Sequence, residues 1–196
     1  MIQQTHCDAL EMLGYDLMWL TSGFLDTEFL EHQITEFREG DDPNPEHYRY
    51  AAFLLWINAK ESYEDAEISQ FLSLLEIDSD RQMSLSAGLV LLQRKGVTDA
   101  QFQELSDTIE RISEGRMSKV ITRERGLREL RKLEHMTLEA FKKYMSLEDS
   151  VIQEYLLRNF SGHNEEFLKT LVEKGVARRI RNIASQKLDS LKKRST

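Results

Sequence analysis

The chain uses proline only twice, and both residues fall in one short stretch, Pro43 and Pro45 of "REGDDPNPEH". Proline removes a backbone donor, and its ring clashes with the carbonyl four residues earlier, so helix interiors exclude it. Residues 46–196 contain none. They are rich in Leu, Glu, Lys, Arg, Gln and Ala, the residues that lose least on entering a helix. The expected class is therefore all-α: antiparallel helix hairpins stacked side by side, as a solenoid or an irregular bundle.

Apolar spacing divides the chain further. "DALEMLGYDLMWL" places Leu10, Leu13, Leu17 and Leu20 on one helical stripe, which "TSGF" interrupts. "DTEFLEHQITEF" resumes it through Phe29, Leu30, Ile34 and Phe37. Gly40 and the two prolines then make a loop, because a residue before proline is pushed out of helical dihedrals. Asn44 and Pro45 suit the cap and first turn of the next helix.

Two helix pairs follow with breaks at "ESYED" and "GVTD", and "AAFLLWI" superposes on "SAGLVLL" at an offset of 35. Such spacing predicts a repeated helix hairpin. Thr98 with Gln101, and more weakly Ser62 with Asp65, has capping-box spacing. Gly96 is expected to end the preceding helix in a left-handed conformation. Further helices are read over "MSKVITRERGLRELRKLEH", "TLEAFKKYM" from Thr137, "LEDSVIQEYLLRNF" up to the break "SGHN", and "EEFLKTLVEK" capped by Asn164. The length of 196 residues suits one domain. Its parts would be an N-terminal helix pair (1–40), a loop (41–45), helix hairpins (46–175) and a basic helix (176–196).

Cys7 is the sole cysteine, so no intramolecular disulfide is available and a reducing compartment, the cytoplasm, is expected. No basic, apolar leader opens the chain, and no window is long and apolar enough to span a bilayer. The net charge of −8 hides a division. Residues 1–80 carry 18 acidic and 3 basic side chains, whereas residues 81–196 carry 16 and 23.

Short marks of chemistry are absent: no phosphate-binding glycine loop, no HExxH, no paired cysteines. His6, His32, His47, His135 and His163 are scattered, and Glu28 with His32 is an isolated pair. "DSDRQMSLSAG" begins like a calcium loop but has Gln82 and Met83 where a ligand and the turn glycine belong. His6 precedes Cys7 but would point elsewhere on a helix. No catalytic, cofactor-binding or metal-ligating set emerges, and no cofactor is expected.

Two regions concentrate polar groups. At the loop–helix junction, Asp42, Glu46, His47 and Arg49 gather with Tyr48 and Tyr50, either as a site or as a structural anchor. On the helix "RERGLRELRK", Arg125, Arg128, Arg131 and Lys132 share one face opposite Leu127, Leu130 and Leu133, with Glu124 and Glu129 partly neutralising them. The tail adds Arg178, Arg179 and Arg181, with an apolar stripe through Val176, Ile180, Ile183, Leu188 and Leu191. It has no aromatic residue for base stacking.

The expected function is a non-catalytic helical module that binds another protein, an acidic one at the basic face, or pairs with its own copies through acidic–basic complementarity. The alternative is a nucleic-acid-associated protein using the 125–132 face and the tail.

Overall fold

Side-chain caps set where the helices begin. The computed structural model describes residues 4–160 and 164–194, with side chains over 8–160 and 164–193. These residues form twelve helices and no strand, so the chain is all-α. The helices are α1 (Gln4–Leu13), α2 (Met18–Thr21), α3 (Thr27–Glu39), α4 (Pro45–Asn58), α5 (Asp65–Ile77) and α6 (Arg81–Leu92), then α7 (Asp99–Ile112), α8 (Ser118–Lys132), α9 (Leu138–Met145), α10 (Ser150–Asn159), α11 (Glu165–Lys174) and α12 (Arg178–Arg194).

Asp26, Asp80, Thr98, Thr137, Asp149 and Asn164 each accept a bond from a backbone N–H in the first turn of α3, α6, α7, α9, α10 and α11. One such cap is worth about 1 kcal/mol. The break expected at 161–163, and the side chains of His6 and Cys7, lie outside the described residues.

By internal contact the chain divides into two compact units, Met1–Ser118 and Lys119–Thr196. The boundary falls inside the stretch read from sequence as one hairpin series.

In the N-terminal unit, the first stripe is not one helix. Gly14 has φ +67°, which ends α1 and turns the next residue, Tyr15, into the core. The Tyr15 hydroxyl donates to Gln33 Oε1 (2.6 Å) and lies 3.0 Å from the Tyr48 carbonyl. Leu17 is left 48% exposed, off the stripe that period 3.6 assigns it. Beyond this bend Trp19, Phe24, Phe53 and Phe71 pack as one aromatic cluster, with the Trp19 and Phe53 rings 4.5 Å apart.

Helices α4 and α5 contact α6 and α7, and their connecting loops meet. Gln101 Nε2 donates to Tyr63 O (2.9 Å) and Asp65 Oδ1 (2.8 Å), while Arg94 reaches Lys60 O (3.4 Å). Gly96 has a role here different from the expected one: its φ is not positive. A Cβ at Gly96 would lie 1.7 Å from the Glu61 carbonyl oxygen, so glycine is required by the approach of two backbones. The Thr98–Gln101 capping box forms as expected. The upstream box uses Glu64 and Glu67 instead of Ser62 and Asp65, because α5 begins at Asp65 itself.

The C-terminal unit has its own core of Leu127, Leu130, Phe141, Ile152, Leu156, Phe167, Leu168, Leu171, Ile180 and Ala184. The Phe141 and Phe167 rings stack with centroids 4.2 Å apart. Ile180 and Ala184 have no exposed surface, so the basic tail is a docked helix.

Candidate functional site

The loop–helix junction opens onto a groove of about 740 Å³ in the N-terminal unit. One wall is the polar face of α3, with Phe29, His32, Gln33, Glu36 and Glu39; the loop contributes Asp41 and Asp42, and α4 contributes His47, Tyr48 and Ala51. Gln33 joins the two sides. It is buried, accepts from the Tyr15 hydroxyl and donates through Nε2 to the Tyr48 carbonyl (2.7 Å), so the walls are rigidly spaced. Tyr15 is a phenol whose pKa burial pushes upward.

Asp42 organises the rim. Its Oδ1 accepts from the backbone N–H (3.1 Å) and side-chain amide (2.9 Å) of Asn44, and its Oδ2 lies 2.7 Å from His47 Nδ1. Asn44 therefore holds the loop rather than capping α4 with its side chain, since no cap hydrogen bond forms there. The contact with Asp42 raises the His47 pKa and that with His47 lowers the Asp42 pKa. The His47 contribution is complete below the ordinary imidazole value and fades as pH rises through the raised value; the Asp42 contribution fades as pH falls through its lowered value. The pair's contribution is thus present between the ordinary carboxylate and imidazole ranges. A proton-detected NMR titration is expected to place the His47 midpoint above that of His47 in an Asp42→Asn variant. Coincident midpoints would show that the carboxylate does not govern the imidazole.

Of the four junction residues named from sequence, Asp42 and His47 meet at this groove, and Glu46 is half-buried beside it and favours the charged imidazole. Arg49 does not belong to it. It is 4% exposed and points into the unit, where Nε donates to Asp78 Oδ2 (3.0 Å), Nη2 to Ser79 Oγ (3.2 Å) and Nη1 to the Leu13 carbonyl (2.7 Å). It is a structural clamp between the end of α1 and the α5–α6 turn. The Asp-x-Asp that resembles a calcium loop is also structural: Asp78 takes the clamp and Asp80 caps α6. Among the described residues no three His, Cys, Asp or Glu side chains group as metal ligands would.

Sequence reading missed the α3 wall. His32, Thr35, Glu36 and Glu39 are spaced by three and four, the helical signature of one face, but a polar face alone reads as solvated. What makes it a groove is the Tyr15–Gln33–Tyr48 bridge, which links residues far apart in sequence.

No protein-family model matches this chain, and no curated protein or solved structure matches it.

On the basic side, Arg125, Arg131 and Lys132 are exposed and Arg128 is half-buried, opposite the buried Leu127 and Leu130. Glu129 accepts from Lys143 Nζ (2.9 Å) and the Tyr144 hydroxyl (2.9 Å); the lysine contact keeps its carboxyl below the usual range, and burial with the nearby carboxylate pushes Tyr144 up to about 12. In the tail, Arg178 is exposed, Arg179 lies 3.7 Å from Glu154, and Arg181 donates to the Gly175 carbonyl (2.5 Å) at the end of α11. Lys187 likewise bonds the Leu157 carbonyl (2.8 Å). These last two cations satisfy chain carbonyls as a docked helix requires.

Proposed function

We propose that this chain is a helical protein-interaction module that engages partners of opposite charge through its two units. One observation carries this reading: the charge reversal coincides with the division into compact units. Residues 1–118 hold 23 acidic and 8 basic side chains, and residues 119–196 hold 11 and 18. Each unit therefore presents a field of one dominant sign, which steers encounter and selects partners more than it sets raw affinity. The acidic unit offers the α3–α4 groove to a cationic segment of another protein, with carboxylates on both rims and aromatic surface at Phe29 and Tyr48. The basic unit offers Arg125, Arg131, Lys132 and Arg178 to an acidic surface.

A repeated hairpin over α4–α5 and α6–α7 would suit such a module, and a single cysteine in the sequence fits a cytoplasmic setting. Among the described residues no helix is long and apolar enough to cross a membrane. The nucleic-acid alternative draws on the surplus of basic side chains in 119–196. It is weakened because Arg179, Arg181 and Lys187 already have partners within that unit.

Fluorescence anisotropy with a labelled Lys/Arg-rich peptide tests the groove. Binding is expected to weaken about fivefold in the triple variant Glu36→Gln, Glu39→Gln, Asp41→Asn, and to fall as salt screens the charges. Equal binding by the variant would remove the groove from the reading. A salt-sensitive gel shift with duplex DNA, lost on Arg125→Glu with Arg131→Glu, would favour the nucleic-acid alternative instead. Sedimentation at low and high salt separates the remaining case, since a salt-reversible dimer makes the oppositely charged partner a second copy.

A further inference from the structure

A second cavity, of about 440 Å³, lies in the acidic unit and is lined by two arginines. Arg81 comes from the first residue of α6, and Arg116 from the turn between α7 and α8. The floor is apolar, from Leu85 and Leu89 of α6 and from Met117, and Ser86 lines it one turn from Gln82.

Both guanidiniums are held from behind. Arg81 Nη1 donates to the Leu75 and Glu76 carbonyls (3.2 and 3.4 Å) at the end of α5. Arg116 Nε donates to the Ser113 carbonyl (2.9 Å). The turn bearing Arg116 is itself over-determined. Glu114 and Gly115 sit at φ 53° and 78°, Gly115 N–H donates to Glu110 O (3.0 Å), and Met117 N–H donates to the buried Ser113 hydroxyl (3.3 Å). A non-glycine residue at positive φ persists only where its surroundings impose it, and such positions cluster at functional sites. Neither arginine forms an ion pair with a described residue, although the unit holds 23 acidic side chains against 8 basic. In a carboxylate-rich setting, arginines that serve only to balance charge would be drawn to acidic neighbours, as Arg49 and Lys60 are.

We propose that this cavity binds a small organic anion, a carboxylate joined to an aliphatic group, with Arg81 and Arg116 on the carboxylate and Leu85, Leu89 and Met117 around the apolar part. A guanidinium fork matches a carboxylate in plane and charge. The volume falls in the range of ligand sites, about 300–1,000 Å³, which combine an apolar lining with a few directed polar groups. A bare inorganic anion would leave the apolar floor uncovered, and an amine would meet two like charges. The inference does not rest on the groove at α3–α4 and stands or falls separately from it.

The test is an NMR titration of the isotopically labelled 196-residue chain with octanoate, octylamine and inorganic phosphate. Octanoate is expected to shift the amides of residues 81–89 and 113–118, phosphate to bind at least about tenfold more weakly, and octylamine to leave these amides unmoved. Arg116→Gln should weaken octanoate about tenfold. Ser86→Phe, which fills the cavity without removing charge, should abolish binding, with an unchanged far-ultraviolet circular dichroism spectrum confirming the fold. Arg81 is left intact because it also holds the end of α5. Octanoate shifts that are absent, scattered over other surfaces, or the same in both variants would overturn the proposal. So would phosphate binding as tightly as octanoate.

Discussion

Asp78→Ala is expected to cost the N-terminal unit about 3–5 kcal/mol, the usual loss when one member of a buried ion pair is removed and the other stays. The size follows from where Arg49 is left. Its guanidinium is buried and gives three of its contacts to the α1 end and the α5–α6 turn, two of them to Asp78 and Ser79. With Asp78 gone, a buried cation keeps only neutral partners, and the Asp80 N–H loses its acceptor, Asp78 Oδ1 at 2.8 Å. The surroundings give little relief: a Cβ at Gly14 would already lie 2.8 Å from Arg49 Nη1. Both tryptophans, Trp19 and Trp56, fall in residues 1–118, so urea unfolding followed by tryptophan fluorescence reports this unit alone. A double variant, Arg49→Met with Asp78→Leu, should recover part of the loss, because an apolar pair leaves no charge to solvate, while the Asp80 N–H and the Leu13 carbonyl still lack these partners. A loss below about 1 kcal/mol for Asp78→Ala would show that the clamp is energetically idle.

Trp19→Ala is expected to cost about 3–5 kcal/mol, through lost burial and the cavity left behind. Trp19 is 1% exposed in a helix only four residues long, so local helix formation supplies almost nothing and the indole is what holds α2 to the unit. Its neighbours are Tyr15 at 4.9 Å, Phe24 at 5.4 Å and Phe53 at 4.5 Å, all at steep interplanar angles. Edge-on aromatic pairs of this kind add to simple area burial. Unfolding followed by circular dichroism measures the loss, with Leu55→Ala as the control. Leu55 is 51% exposed and its truncation should stay within about 0.5 kcal/mol. Equal losses at the two positions would mean that the aromatic cluster is not the organising core of this unit.

What could be read from sequence was local. Pro45 at the first turn of α4, the Thr98–Gln101 box, and Asn164 at the head of α11 act within one or two turns of themselves, and all three stand where the sequence puts them. The leucine face of α8 was legible for the same reason, since period 3.6 is a property of one helix. The stripe through Leu17 broke because Gly14 adopts a left-handed conformation that places Tyr15 against Gln33, a partner 18 residues away. The need for glycine at Gly96 comes from the backbone of Glu61 and not from a helix terminus.

Composition and spacing along the chain establish helices, the starts of α4, α7, α9 and α11, and a charge divided between the two ends. Caps, prolines and apolar period act over a few residues, and charge is a plain sum over side chains. Packing in three dimensions is what matches the charge division to two compact units, buries Arg49 as a clamp, and brings Arg81 and Arg116 to one cavity. Those outcomes depend on pairs of residues distant in sequence, whose distances are set by packing and by the need of buried polar groups for partners.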